Sequence, residues 1–260
     1  MPDRMRRVHG AMLLLVLAVA AACAPAAPEK AAGALAEPQQ PRAPKVVTVA
    51  FGRLVTAVEV FGGGVTGRQS IMPLIHNLVV YERNYQEWVP QLALEKASVD
   101  RGTWKINPDG TMEMTWKFHP NIRWHDGTPF STEDIVFAVN LRKDPEMASQ
   151  SGIAQGRLDL IDRISAPDPL TLVTHWSEPY VDADRARSME PIPRHILQEV
   201  YQRDKRAAQT SSYWNADFVG LGPYKVVNWE SGIQVELARF DQYFLGVPKL
   251  DSVLVKWVQR

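Results

Sequence analysis

The clearest pattern along the chain is an alternation of apolar and polar residues in "DGTMEMTWKFH", residues 109–119. The large apolar residues of this stretch are Met112, Met114, Trp116 and Phe118. A period of two residues predicts a half-buried β-strand, and Asp109-Gly110 predicts the turn that opens it. Similar alternation predicts further strands in residues 170–176, 232–240 and 252–260. The β-branched run "KVVTVAF", residues 45–51, predicts a buried strand.

Apolar residues recur at three- and four-residue spacing in two segments, residues 68–80 and 194–207. This spacing predicts two amphipathic helices, and Pro73 fits the first of them only near its first turn. His76 lies off the apolar stripe, so we predict a surface or capping side chain rather than a ligand. Several strands with interspersed helices predict an α+β or mixed α/β domain.

The stretch "IRWHDGTPFSTEDIVFAVN", residues 122–140, predicts a turn followed by a helix. Asp126-Gly127 is a strong turn dipeptide, because both residues tolerate left-handed backbone geometry. Ser131 precedes Asp134 by three residues, which resembles a capping box at the start of a helix. The helix must end by Asp144-Pro145.

The same stretch raises the alternative of metal or acid/base chemistry at His125 and Asp126. Such a site needs partners, for example a second histidine at metal-ligand spacing or a glutamate that polarises water. The remaining histidines are scattered, and the chain contains no Gly-x-Ser-x-Gly nucleophile motif. We therefore favour the structural turn, and we predict no catalytic residue, no metal site and no cofactor.

Composition and charge narrow the class of protein. The chain has 260 residues, of which 45% are hydrophobic and 22% charged, so it is long enough for one large domain or two small ones. Basic and acidic residues balance at 29 each. Without net positive charge, nucleic acid is a poor candidate partner.

The N-terminus resembles a secretory signal peptide over residues 1–22, with arginines ahead of a short apolar run. Two processing routes compete: cleavage at an Ala-x-Ala site, or acylation of Cys23 in a bacterial lipoprotein signal. Cys23 is the only cysteine, and "AVAAAC" resembles a lipobox, so we predict lipidation there. Proline and alanine dominate the rest of residues 23–45, which predicts a tether to the membrane.

Three segments, taken in order, resemble a known family. They are "DGTMEMTWKFHPNIRWHDGTPFSTEDIVFAVN", "EPIPRHIL" and "VGLGPYKVVNWESGIQVELARFDQYFLGVPKLDSVLVKWV". They are similar to the extracellular solute-binding proteins of family 5, the peptide, dipeptide and nickel receptors of ABC importers. The resemblance covers residues 46–260. Leu221, Phe240 and Phe244 depart from the family's usual residues, so ligand preference does not carry over.

The resemblance implies a periplasmic-binding-protein-like fold of type II (cluster C). Residues 46–260 would form the N-terminal lobe and end near the hinge, with the second lobe absent from this chain. The implied function is capture of a peptide or other small solute by lobe closure and delivery to ABC permease and ATPase subunits. The implied location is the periplasm or the outer face of the cytoplasmic membrane.

Two places are predicted to contact the solute. The first is the glycine-rich loop after the first strand, consisting of Phe61, Gly62, Gly63 and Gly64. The second is Tyr180, at the end of the "SEPY" turn. The alternative is that these are ordinary loop and core residues.

Two other functions compete with the receptor. If Arg260 is the natural end, the chain is a membrane-tethered interaction or structural module without a ligand, and the strand over 252–260 exposes an unpaired edge. Val253, Val255 and Trp257 would lie on one face of that strand. A secreted hydrolase is the third alternative, and it lacks a recognisable nucleophile or metal set.

Overall fold

Two four-stranded sheets and one hairpin carry the apolar faces that the alternating pattern predicts. The computed structural model describes residues 42–52, 71–83, 87–147 and 157–258, and residues 43–260 form one compact unit. The strands are β1 (Val46–Phe51), β2 (Val80–Arg83), β3 (Glu87–Pro90), β4 (Trp104–Ile106), β5 (Met112–Lys117), β6 (Ile161–Asp168), β7 (Thr171–Trp176), β8 (Tyr224–Glu230), β9 (Gln234–Arg239) and β10 (Ser252–Trp257). The α-helices are α1 (Met72–Ile75), α2 (Glu133–Lys143), α3 (Arg194–Arg203) and α4 (Lys205–Gln209). Short 3₁₀ helices lie at Leu158–Leu160, Ala183–Arg185 and Ser212–Trp214. The predicted mixed α/β architecture is confirmed.

The first sheet has the order β1-β10-β9-β8, with β1 parallel to β10 and the other pairs antiparallel. The prediction of an exposed edge at β10 is wrong, because β1 and β9 flank that strand on both sides. Val253, Val255 and Trp257 are buried against the helices. The prediction that β1 is buried is also wrong, since it is an edge strand on which Val46 and Val47 are exposed.

The second sheet is antiparallel throughout, with the order β4-β5-β7-β6. The alternating apolar residues of β5 face the core, and Met112, Met114 and Trp116 are at most 1% exposed. Sequence periodicity missed β6. That strand is largely exposed, contains Pro167 and has irregular register with β7, so it lacks a continuous apolar face.

The helix predicted over residues 68–80 is shorter in the structure. Helix α1 begins with Met72-Pro73 and ends before His76, whose backbone is extended. Beyond it, the Leu78 N–H donates to Gln91 Oε1 at 2.8 Å, and the Leu78 carbonyl accepts from the Leu92 N–H at 3.0 Å. These bonds occupy the N–H and C=O groups of Leu78, which would have to form hydrogen bonds within the helix if α1 continued.

The helix predicted over residues 194–207 is present as two shorter helices, α3 and α4. Asp204 is extended, which ends α3, and its Oδ1 then accepts from the Ala207 N–H at 3.0 Å to cap α4. Leu197 lies in the core, as the apolar stripe predicts. Within the described residues, none of the helices is both long and apolar enough to cross a membrane.

Candidate functional site

Of the predicted functional residues, only Tyr180 lies in the described part of the chain. Phe61, Gly62, Gly63, Gly64 and Cys23 lie outside it. Tyr180 follows β7 and is partly buried, with its ring centroid 5.6 Å from that of Trp176. Its carbonyl accepts from the Ala183 N–H at 3.2 Å, which begins the next 3₁₀ helix. Its contact with solute stays a prediction.

The predicted turn at Asp126-Gly127 is confirmed, because the Thr128 N–H donates to Asp126 Oδ1 at 2.9 Å, and the preceding His125 binds backbone with both ring nitrogens. Its Nδ1 accepts from the Gly220 N–H at 3.1 Å, and its Nε2 lies 3.0 Å from the Gly222 carbonyl oxygen. Because Nε2 faces a carbonyl, the proton must lie on that nitrogen. Burial lowers the pKa of His125 to about 4. The ring is therefore neutral at pH 7, and both of its nitrogens are engaged by backbone.

The glycines of "GLGPY" permit a close backbone contact between two distant segments. A Cβ on Gly220 would lie 1.9 Å from the Ile75 carbonyl oxygen, and a Cβ on Gly222 would lie 2.4 Å from the Ile75 carbonyl carbon. The Gly222 N–H donates to the Ile75 carbonyl oxygen at 3.2 Å. No other residue type fits at either position without moving backbone. The GLGPY motif thus packs against the end of α1 immediately before β8 begins.

Asp134 joins the starts of two helices. Its Oδ2 accepts from the Ser131 N–H at 3.0 Å and from Trp124 Nε1 at 3.1 Å, and its Oδ1 accepts from the Arg194 N–H at 3.0 Å. The Ser131 hydroxyl accepts from the Glu133 N–H at 3.3 Å, so the predicted capping motif is present as a variant of the capping box, one residue ahead of the helix cap Thr132. Burial raises the pKa of Asp134 against the opposing effect of these donors. No local pattern indicated that the same carboxylate also caps α3.

His76 is buried, so the prediction of a surface or capping side chain is wrong. It is 2% exposed, stacks on Trp124 with ring centroids 6.2 Å apart, and meets the edge of Phe218 at 5.9 Å. Because α1 ends one residue earlier, the helical spacing used for the prediction does not apply here. Burial lowers the pKa of His76 to about 3, with nearby Glu190 acting in the opposite direction.

A small cavity of about 50 Å³ adjoins the His76 ring. Its walls are Met72, Pro73, His76, Leu78, Tyr81, Gln91 and Glu190. Glu190 in this wall forms an ion pair of 3.2 Å with Arg142, and the two side chains are 6% and 1% exposed. The cavity is mostly apolar and smaller than pockets that hold drug-sized ligands. By itself it is too small for a solute of that size.

A cationic and aromatic surface lies on the hairpin β2-β3. The guanidinium carbons of Arg185 and Arg187 lie 5.5 Å and 5.0 Å from the ring centroid of Trp88 on β3. We call these three residues the Trp88 cluster. Sequence reasoning missed it, because Trp88 and the two arginines are almost a hundred residues apart. Within the described ranges, no group of three or more histidine, cysteine or carboxylate side chains is placed to hold a metal ion.

Comparison with solved structures defines the fold. The fold matches an oligopeptide-binding protein from Thermus thermophilus complexed with a pentapeptide, with a TM-score of 0.68 and 16% identity, over 82% of this chain and 41% of that one. It also matches NikZ from Campylobacter jejuni in complex with Ni(L-His), with a TM-score of 0.65 and 21% identity, over 82% of this chain and 39% of that one. These matches confirm the predicted type II periplasmic-binding-protein fold.

The family follows from the sequence profile. The profile of the bacterial extracellular solute-binding proteins, family 5 Middle, matches residues 87–260, and the chain belongs to this family. A dipeptide-binding protein of Escherichia coli K12 is 22% identical over 75% of this chain and 37% of its own length. The oligopeptide-binding protein AppA of Bacillus subtilis is 24% identical over 57% of this chain and 26% of its own length. The chain thus spans well under half the length of these relatives, and the predicted resemblance is confirmed.

Proposed function

We propose that this chain supplies the first lobe of the substrate-binding receptor of an ABC importer. The receptor captures a peptide or a related small solute outside the cytoplasmic membrane and delivers it to the permease and ATPase subunits. The observation that carries the proposal is the family match over residues 87–260, on a lobe whose fold is shared with peptide-bound proteins. Binding requires no covalent chemistry, so we propose that the protein is not an enzyme and uses no cofactor.

The proposed mechanism is closure of two lobes around the solute. Closure is a shift of population toward the state that binds the solute more tightly. A lobe transmits such a motion best when it moves as one body. Three contacts between distant segments support this: the Gly222 N–H donates to the Ile75 carbonyl, Gly220 packs closely on the same carbonyl, and the His125 ring hydrogen-bonds to the backbone of both glycines.

The proposed solute contacts are Phe61, Gly62, Gly63, Gly64 and Tyr180. A glycine-rich backbone can approach an extended ligand closely, and a tyrosine ring supplies apolar area with a polar end. Both are suited to peptides, which are held by backbone hydrogen bonds and side-chain pockets.

The proposed location is the periplasm or the outer face of the cytoplasmic membrane. Residues 1–22 would direct export, acylated Cys23 would anchor the protein, and the rest of residues 23–45 would act as a tether. Metabolic labelling with a tagged fatty acid tests this arrangement. We expect label in the wild type and none in Cys23→Ser. Equal labelling of both would contradict the anchor.

The function is tested on native protein captured with an antibody against residues 46–260. Thermal unfolding is measured with and without a mixture of di- to pentapeptides. A peptide at a hundred times its dissociation constant should stabilise the protein by about 2.7 kcal/mol. Tyr180→Ala should reduce this effect, whereas Tyr81→Ala on β2 serves as the matched control. Absence of stabilisation by any peptide or small solute would favour the membrane-tethered interaction module instead.

A further inference from the structure

Three hydrogen bonds join His125 to the backbone of the GLGPY segment, residues 220–224. The Gly220 N–H donates to His125 Nδ1 at 3.1 Å, and the His125 N–H donates to the Gly220 carbonyl at 3.0 Å. The ring Nε2 donates to the Gly222 carbonyl at 3.0 Å. The segment lies where two hydrophobic clusters of the core meet, because buried Leu221 belongs to one cluster and buried Tyr224 to the other. His125 therefore holds a segment that contributes to both clusters.

One of these three bonds depends on the protonation state of the ring. Neutral imidazole has one acceptor nitrogen, whereas the imidazolium ion has two N–H donors and no acceptor. A proton on Nδ1 would place two donors, Nδ1–H and the Gly220 N–H, opposite each other in the core. The other two bonds use groups whose donor or acceptor character does not change. Acid thus removes one identified hydrogen bond from this contact.

Close packing leaves the GLGPY segment little room to adapt to that change. A Cβ on Gly220 would lie 1.9 Å from the Ile75 carbonyl oxygen, so the backbone cannot withdraw in that direction. The ring of Phe240 packs edge-on against the His125 ring, with centroids 5.3 Å apart. Opposition of the two donors is therefore relieved by movement of the segment away from the His125 ring.

The charged groups around His125 do not supply an unengaged counter-charge for the imidazolium ion. Asp126 favours protonation, but its carboxylate already bonds to His195 Nε2 at 2.7 Å. Lys225 on β8 opposes protonation, and His76 after α1 adds repulsion when both rings are charged. Burial is the largest effect, and it holds the pKa of His125 at about 4.

We propose that His125 acts as a proton-sensitive latch: when its ring is protonated, the GLGPY segment opens locally while the rest of the lobe stays folded. The lobe holds together because α2 contributes to both clusters, with Ile135 buried in one and Leu141 in the other. Local opening of this kind has its own free energy, below that of complete unfolding. The latch goes beyond the proposed function and does not depend on the identity of the solute. It would let acidification of the surroundings loosen a lobe that is rigid at neutral pH.

The test is native-state hydrogen exchange of the full chain, measured by NMR between pH 7 and pH 5 and corrected for the intrinsic exchange rate of each amide. In the open state the ring regains its ordinary pKa of 6.5, so the open population rises about twentyfold over this interval. We expect the Gly220 and Gly222 amides to lose protection by this factor. At each pH they should exchange faster than the Thr115 amide of β5, which donates to the Thr103 carbonyl at 2.8 Å.

Two variants separate the latch from general sensitivity to acid. In His125→Asn, the side-chain Oδ1 takes the place of Nδ1 as acceptor for the Gly220 N–H, but it does not titrate. We expect the twentyfold response of Gly220 to disappear in this variant. His119→Asn removes a partly buried histidine elsewhere and should leave the response unchanged. The wild-type pH series tests the latch independently of both variants.

Any of four results would overturn the proposal. Corrected exchange at Gly220 that is independent of pH would show that protonation does not open the segment. Protection of Gly220 equal to that of Thr115 at both pH values would show that the segment opens only by global unfolding. An unchanged response in His125→Asn would assign the effect to another group. Ring ¹⁵N shifts that place the proton on Nδ1 at pH 7 would mean that the ring does not accept from the Gly220 N–H.

Discussion

His76 makes the stability of this protein depend on pH. Its ordinary pKa is 6.5, and burial lowers the pKa to about 3 in the folded state. Glu190 partly opposes the shift, whereas the positive charges of Arg142 and of protonated His125 add to it. The unfolded chain therefore binds more protons than the folded one. The stability contributed by neutral His76 is complete above pH 6.5 and is lost as the pH falls toward 3.

The size of the effect follows from the two pKa values. Between pH 7 and pH 5, proton uptake by the unfolded chain alone lowers the free energy of unfolding by about 2 kcal/mol for His76. His125, with a pKa of about 4 and the same sign, contributes a similar amount. We expect the wild type to lose about 4 kcal/mol over this interval, and His76→Leu to lose about 2 kcal/mol.

The assay is urea unfolding of the full chain at pH 7, 6 and 5, followed by tryptophan fluorescence. The quantity compared is the change in unfolding free energy with pH within each protein, so any stability difference between the proteins at pH 7 cancels. His119→Gln is the control, because it removes a histidine that is only partly buried. If His76→Leu kept the full pH dependence of the wild type, the ring would not be a buried neutral group and the reasoning would fail.

Three further substitutions test the structure by the same unfolding assay. Gly222→Ala should cost about 3 kcal/mol or more of unfolding free energy, because the new Cβ would meet the Ile75 backbone. Gly52→Ala is the control, because its Cβ meets nothing within 4 Å and should change stability by less than about 0.5 kcal/mol. Equal effects of the two substitutions would contradict the close approach of Gly222 to Ile75. Glu190→Gln should cost about 3–5 kcal/mol, because it removes the negative charge from a buried ion pair with Arg142, and a neutral result would mean that the pair is solvated. Asp134→Asn should cost about 2 kcal/mol, because an amide cannot accept all three of the present hydrogen bonds, and unchanged stability would show that they are not needed.

Local patterns in the sequence were sufficient where a single segment forms its own structure. Alternation of apolar residues predicted β5, because side chains of a strand point to opposite faces and one face must leave water. Local patterns also predicted the capping motif at Ser131 and Asp134 and the turn at Asp126-Gly127. The hydrogen bonds of both features join residues only two or three positions apart. The family motifs then identified the fold that contains them.

Contacts between distant residues were decided only by the tertiary structure. His76 is buried because α1 ends early and the following backbone pairs with residues 91 and 92, which no helical spacing reveals. The glycines at 220 and 222 meet Ile75, and Arg187 meets Trp88, across about a hundred residues or more. Periodicity reports which side of an element is apolar, but it carries no information about which element lies opposite. The sequence by itself therefore determined the class of protein and half of the described strands, and the topology decided which charged and aromatic side chains meet.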